Sequence, residues 1–436
     1  MSLPPEIIEE FKDLEPTKKL YYEDAYIKEF DSQVIKKVNF QDKVYIALRE
    51  TAFFAESGGQ GGDVGFIRGP EGSLRVIDTQ AIDEEVVIHI CEPIEGQVNE
   101  GDNIHGEINW EIRYNRMRHH TGSHVVFAAI REALRVKKLI YKGVHVGETW
   151  ARIDINYDDP ITDEQIREIE LLANRICFEN RPVKIFYMNR EEAERVYGDK
   201  LGVTEVTPTG IVRVVEIEGW DVALCSGTHV RSTAEIGIIK ILERYKLEKG
   251  VQRIRLAVGP SAYDKIDEII LRANRAARLL NASLDDLDEK IENLIRKKEE
   301  LEDKLKSLRK RLAKYEAYYL LQQAKTIGEL KLVVQEIPDA DISMLRNIVM
   351  EITKFDPSSI VVLGSIMDRA YVVAAAGNKA IEYGIKINDY VVYLKNILGG
   401  KGGGSPKIIQ FAGESLSKLK EALKVLEDKI KENIKA

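Results

Sequence analysis

The sequence is poor in cysteine, in long apolar runs and in surplus positive charge. Its 436 residues hold three cysteines, Cys91, Cys177 and Cys225. An odd, sparse set cannot build a disulfide framework, which predicts a reducing compartment and a cytoplasmic location. No run of about 18 apolar residues occurs, so no membrane-spanning helix and no membrane partner are expected. The opening MSLPPEIIEEFKDLEP is acidic and broken by prolines. It lacks the basic stretch and apolar core of a secretory signal, and none is expected. Lys and Arg number 64 against 72 Asp and Glu, a net charge of −8. That excludes a chain coated with positive charge for nucleic acid, but leaves room for local basic patches.

What is present reads as a folded, multidomain α+β protein. Hydrophobic residues make up 44% and charged ones 31%, the balance of ordinary globular domains rather than of a disordered chain. The length predicts two to four domains. Residues 1–108 read as a small β-barrel-like domain, because KVYIALRE and EEVVIHIC are rich in β-branched residues. Between them lies SGGQGGDVGFIRGPEGS, readable as hairpin loops or as a loop that approaches a ligand. Residues 109–258 mix both element types. Helices are expected at 110–134 and at 162–178, the second opened by Thr162 and Asp163. Strands are expected at ETWARIDI, PVKIFYM, IVRVVEI, VALCSG and GIIKIL.

Residues 259–327 read as one long helical stretch. Positions 284, 287, 291, 294, 298, 301, 305, 308, 312 and 315 are apolar apart from Lys298. Their alternating spacing of three and four is a heptad seam, which pairs with its copy in another chain or folds on a neighbouring helix. A coiled-coil dimerisation segment is therefore expected. Residues 328–436 alternate strands (KLVVQEI, SIVVLGS, YVVAAAG) with helices near 342–355 and 389–398, and end in an amphipathic helix. That pattern predicts a small α/β domain.

The chemistry is concentrated in two places. His120 and His124 stand four apart in RHHTGSHVV, and Cys225 and His229 four apart in ALCSGTHV. On a helix, that spacing puts two imidazoles on one face, one turn apart. Either pair alone is weak. Together they supply three nitrogens and a sulfur, a set that suits zinc. Thr121, Gly122 and Ser123 fill the gap between the first two histidines, so the glutamate base of an HExxH protease is missing. About a hundred residues separate the pairs, too far for a zinc ribbon, and a cleft in a folded domain is expected.

Residues 111–142 carry eight basic side chains, among them Arg116, Arg118 and Lys137, against two acidic ones. They read as an exposed helix face or as a landing site for phosphates. LGGKGGGSPK, with Lys401 and Lys407, is not a Walker A loop. It reads as a flexible loop or as an open nest of backbone N–H groups beside positive charge.

HHTGSHVV and CSGTHVRSTAEIG, preceded by LYYEDAYIKEF and TAFFAESGGQGGDVG and followed by GGKGGGSPKIIQFAG, resemble the editing and C-terminal DHHA1-type regions of alanyl-tRNA synthetases. They resemble equally the long-form AlaX trans-editing proteins. The resemblance covers residues 20–430. It implies an aminoacyl-tRNA hydrolase that clears Ser-tRNA(Ala), and also Gly-tRNA(Ala), with zinc on His120, His124, Cys225 and His229. It implies a cleft in residues 109–258 with Ser123 and Tyr141 recognising substrate and Gly58, Gly59 and Gln60 nearby. Ser123 and Gln60 are the cleft candidates for a part in catalysis. Arg116, Arg118, Lys401 and Lys407 would bind tRNA(Ala), and the helical segment and C-terminal domain would form a homodimer. Two departures stand out: Ser123 where the family commonly has Thr, and Ser226 where Gly is usual. The sequence has no class II aminoacylation core, so no charging activity is expected of it. It reads as a stand-alone editing protein, as the C-terminal half of a synthetase, or as a non-catalytic tRNA-binding module with structural zinc. A DHH-type phosphoesterase is disfavoured, because no Asp-His-His cluster precedes the C-terminal region.

Overall fold

The computed structural model describes residues 3–136, 138–203 and 209–435. Lys137, counted in the basic run above, lies outside them. The chain forms two compact units, Met1–Ala276 and Ala277–Ala436.

The first unit opens with a closed six-stranded barrel. Around it run Glu29–Phe40, Lys43–Leu48, Val86–Gly96, Gly72–Ile82, Gly65–Arg68 and Asn103–Ile108. The apolar run in Val86–Gly96 has a cause in two coverings. Cys91 points into the barrel with Ile46, Phe53 and Ile67. Ile88 and Ile90 point outward, beneath Ile7 and Phe11 of the helix Pro5–Phe11. A strand buried on both faces loses the alternation that a half-exposed strand shows.

The remainder of this unit is α+β. A helix, Trp110–Ala133, starts where Asn109 accepts from the Ile112 N–H. A second, Asp163–Phe178, starts with a Thr162–Gln165 capping box. Both pack on one face of an antiparallel sheet ordered Ile239–Glu248, Val251–Val258, Ala151–Asn156, Tyr141–Val146. The shared core includes Met117, Val126, Ile130, Ile153, Ile169, Ala173, Ile254 and Leu256. A second sheet orders Val183–Asn189, Ile211–Ile217, Asp221–Leu224 and Leu201–Gly202. The barrel is tied to the first helix by Arg113, which is fully buried. Its Nε donates to Asp63 Oδ2 at 2.7 Å and its Nη1 to the Ala25 carbonyl at 2.8 Å.

The expected single helical stretch over 259–327 is instead two helices, Gly259–Leu279 and Leu287–Gln322, followed by a short strand, Lys325–Ile327. Asn281 takes a left-handed φ of 49°, a conformation that ends helices and that Asn tolerates. The Ser283 hydroxyl then accepts from the Asp286 N–H at 3.2 Å, turning the chain before the second helix begins. Along that helix Leu294, Leu301, Leu305 and Leu308 are half exposed.

In the second unit a six-stranded sheet is ordered Lys325–Ile327, Leu330–Glu336, Ser359–Ile366, Ala370–Ala376, Ile408–Gly413, Lys401–Ser405. Helix Ile342–Phe355 and Ala313, Ala317 and Leu320 cover one face. Helices Val391–Leu398 and Leu419–Lys435 cover the other. The glycine run expected as a loop or open nest is an edge strand, paired residue by residue from Lys401↔Ala412 to Ser405↔Ile408. At Gly402 a Cβ would come within 2.5 Å of the Gln410 carbonyl oxygen, so glycine is what allows this close pairing. No helix among the described residues is long and apolar enough to cross a membrane.

Candidate metal centre

The two sequence-distant pairs meet. His120 and His124 stand one turn apart on the helix Trp110–Ala133, and Cys225 follows directly on the strand Asp221–Leu224. One potential ligand atom from each of His120, His124, Cys225 and His229 lies within 4.8 Å of all the others. Cys225 Sγ is 3.2 Å from His120 Nε2 and 3.3 Å from His229 Nε2. The turn between Cys225 and His229 fits only without a side chain at Gly227, where a Cβ would sit 2.0 Å from His120 Cε1. Arg213 Nη1 clamps this turn, donating to the Cys225 carbonyl at 2.7 Å and the Gly227 carbonyl at 2.9 Å.

The partners behind the imidazoles fix which nitrogen each one offers. His124 Nδ1 lies 3.2 Å from Asp221 Oδ2, an acceptor, so Nδ1 carries a proton. His120 Nδ1 lies 2.8 Å from Gln60 Oε1. That oxygen also accepts from the Thr228 N–H at 3.0 Å, while Gln60 Nε2 donates to Thr228 Oγ1 at 2.7 Å. Thr121 gives its single hydroxyl proton to the Met117 carbonyl at 3.0 Å. It can then only accept from His229 Nδ1, at 3.1 Å. All three rings are thereby held with Nδ1 turned away and Nε2 offered to the cluster, the arrangement that partners behind metal-ligating histidines impose.

Charge follows the same design. Burial alone would raise the Cys225 thiol, but His120 and His229 outweigh it and hold the group well below its ordinary value. Burial would lower His124, yet the Asp221 carboxylate and Cys225 push it up to about 10. Burial drives His229 down to about 3. A thiolate beside imidazoles whose Nδ1 atoms are already engaged is a donor set for a divalent cation, which would compete with the proton on His124.

Beside the cluster opens a cleft of about 850 Å³. Ser123, Tyr141, Gly58 and Gly59 all line it, with Tyr22, Tyr187 and Arg213. Ser123 Oγ donates to the His120 carbonyl at 2.7 Å, leaving its lone pairs to accept. Tyr141 is buried, its ring stacked on Phe127 at 3.7 Å, and its hydroxyl has no hydrogen-bond partner. Gly59 has φ 81°, and a Cβ there would lie 2.6 Å from the Val144 carbonyl oxygen. Gln60 stands one layer behind the cleft wall, fully buried against His120. Arg116 and Arg118 donate to the Gly62 and Glu235 carbonyls at 2.6 and 2.8 Å. Lys401 and Lys407 are exposed in the other unit.

Asp221, Thr121, Thr228 and Arg213 were not visible as site residues in the sequence. Asp221 stands four before Cys225, but no spacing rule marks it, because its partner His124 is 97 residues away.

Three family models match the chain in order. The class II (A) tRNA synthetase model matches residues 5–112, and the threonyl and alanyl tRNA synthetase second additional domain matches 212–255. The DHHA1 domain matches 329–432. Among curated relatives, the alanine–tRNA ligase of Pyrococcus abyssi is 36% identical over 417 residues, 94% of this chain and 43% of that one. That of Pyrococcus furiosus is 35% identical, over 94% and 43%. That of Ignicoccus hospitalis is 32% identical, over 98% and 45%. The chain thus spans less than half the length of these relatives. In the order of these matches and along nearly its whole length, the chain is similar to alanyl-tRNA synthetases.

Proposed function

We propose that this chain hydrolyses the ester of tRNA(Ala) wrongly charged with serine, and also with glycine. The observation that carries this reading is the four-residue cluster with every imidazole Nε2 turned inward, at the wall of a cleft of about 850 Å³. The ion is zinc, held by His120, His124, Cys225 and His229, as the three-nitrogen, one-sulfur set favours. Bound to four protein donors, zinc supplies a fixed positive charge that organises the reacting end, rather than an open position for water.

The chain's own groups do the rest. The ester is already reactive, so placing it and a water molecule within reach accounts for much of the rate. Ser123 Oγ, its proton spent on the His120 carbonyl, accepts from the substrate. The unpartnered Tyr141 hydroxyl is available to a serine side chain. Alanine and glycine bring no such group and leave the hydroxyl unpaired, which ranks serine above both. Arg116 and Arg118, each with N–H groups beyond those spent on carbonyls, and exposed Lys401 and Lys407 meet tRNA phosphates. The half-exposed leucine face of Leu287–Gln322 and the C-terminal domain support a homodimer. The domains divide as 1–108, 109–258, 259–327 and 328–436.

A second reading, the editing part of a longer synthetase, is favoured by the 43% share of its relatives that the chain covers. Deacylation assays with Ser-tRNA(Ala) and Ala-tRNA(Ala) test the proposal. Release of serine but not alanine, lost in His120→Ala, is expected. Binding without release would leave a tRNA-binding module.

A further inference from the structure

The sheet that supports the cleft has an outer face that the metal centre does not use. Its inner face carries Ile153, Ile254 and Leu256 in the core. Alternation therefore turns Arg152 and Arg255 outward. Register then sets a row across three strands, with His145 opposite Arg152 and Arg152 opposite Arg255. Trp150 lies against both ends, its ring 4.6 Å from the His145 ring and 4.5 Å from the Arg255 guanidinium. Arg116 comes from the helix to the end of the His145 strand, its guanidinium 3.5 Å from a Cβ placed at Gly61, whose N–H donates to the Val146 carbonyl at 3.5 Å.

The charges of this row are incompletely spent. Arg255 Nη1 meets Glu243 at 2.8 Å. Arg152 has no ion-pair partner among the described residues. The Nε groups of Arg116, Arg152 and Arg255 all lack an acceptor. The neighbouring Asp154 is taken by Arg253, at 2.6 and 2.7 Å. The row also begins at the cleft. Lys142 and Val144, on the His145 strand, line it, and the Val146 N–H donates to the Gly59 carbonyl at 2.7 Å.

We propose that His145, Arg152, Arg255 and Arg116, with Trp150, form a track for the phosphodiester backbone of an RNA whose acylated end enters the cleft. In a chain of net charge −8, a half-buried row of guanidiniums around an aromatic ring is complementary to phosphates and to an unpaired base. The identity of the RNA rests on the hydrolysis reading; the track itself does not.

The test is the affinity of the full chain for an uncharged tRNA(Ala) transcript, read by fluorescence anisotropy from about 50 to 200 mM salt. Arg152→Gln should lower the slope of log affinity against log salt by about one, and Arg152→Gln with Arg255→Gln by about two. The double variant should bind about tenfold more weakly at the low-salt end. Glu243→Gln, which removes the competing carboxylate, should bind more tightly. Metal content should be unchanged in all three. If Arg255→Gln prevents folding, Arg152→Gln and Glu243→Gln decide alone. Wild-type affinity and slope in the variants would overturn the track even where serine release is intact. A wild-type chain that fails to release serine, but whose RNA affinity follows Arg152, would overturn the hydrolysis reading alone.

Discussion

Gln60 Oε1 accepts from His120 Nδ1 at 2.8 Å and from the Thr228 N–H at 3.0 Å. One carboxamide from the barrel's glycine-rich segment thus orients a ligand on the helix and holds the turn that carries two more. Removing a partner of this kind typically weakens a metal site 10- to 100-fold. Gln60→Ala should lower zinc affinity by about that factor, measured by competition with a chromophoric chelator. An unchanged affinity would mean that the His120 ring is held by packing alone.

Gly227→Ala is the sharper steric probe. Its Cβ would lie 2.0 Å from His120 Cε1 and 2.2 Å from Nδ1, too close for either atom. The turn or the ring must move. Loss of stoichiometric zinc binding is expected, with the barrel still folded by far-ultraviolet circular dichroism. Full zinc occupancy in this variant would contradict the geometry of the turn.

Arg113 and Asp63 are both fully buried and join the helix of the site to the barrel. Replacing one partner leaves the other charge buried and unpaired, which costs about 3–5 kcal/mol. Arg113→Met should lose about that much in urea unfolding. The double replacement Arg113→Met with Asp63→Leu should recover part of it. Equal losses in the single and double variants would show that the ion pair is not the tie.

His89 lies inside the barrel, with Nε2 2.8 Å from Thr51 Oγ1 and Nδ1 3.0 Å from the Ile46 carbonyl. Burial pushes it down to about 4. The unfolded chain, with an ordinary histidine near 6.5, binds a proton that the folded chain refuses between these values. The contribution of His89 is therefore fully present above pH 6.5 and is lost as pH drops toward 4, on the order of 3 kcal/mol from this group. Urea unfolding from pH 7 to 4.5 should show the loss, and His89→Leu should reduce it. A pH dependence identical in the two chains would remove His89 as its source.

Much of this was legible in the sequence, for specific reasons. Thr162 and the apolar spacing behind it announced the helix Asp163–Phe178, because capping and periodicity are local. The two i, i+4 His and Cys pairs could be read because each lies within five consecutive residues. What stayed hidden was non-local. Asp221, Thr121 and Thr228 are ordinary residues until the fold sets them behind the histidines. Gln60 was visible only as part of a glycine-rich segment, not as a support for His120. The break at Asn281 was overridden by the strong heptad signal downstream, and the glycine strand at Lys401–Ser405 lacked the β-branched residues that mark strands.

We infer that His120, His124, Cys225 and His229 together hold one ion. Zinc K-edge X-ray absorption on the full chain, reconstituted with equimolar zinc, measures it most directly. The expected spectrum has three nitrogen neighbours at about 2.0–2.1 Å and one sulfur at about 2.3 Å, the sulfur vanishing in Cys225→Ser. A zinc shell of oxygen and nitrogen alone in the unaltered chain would contradict it.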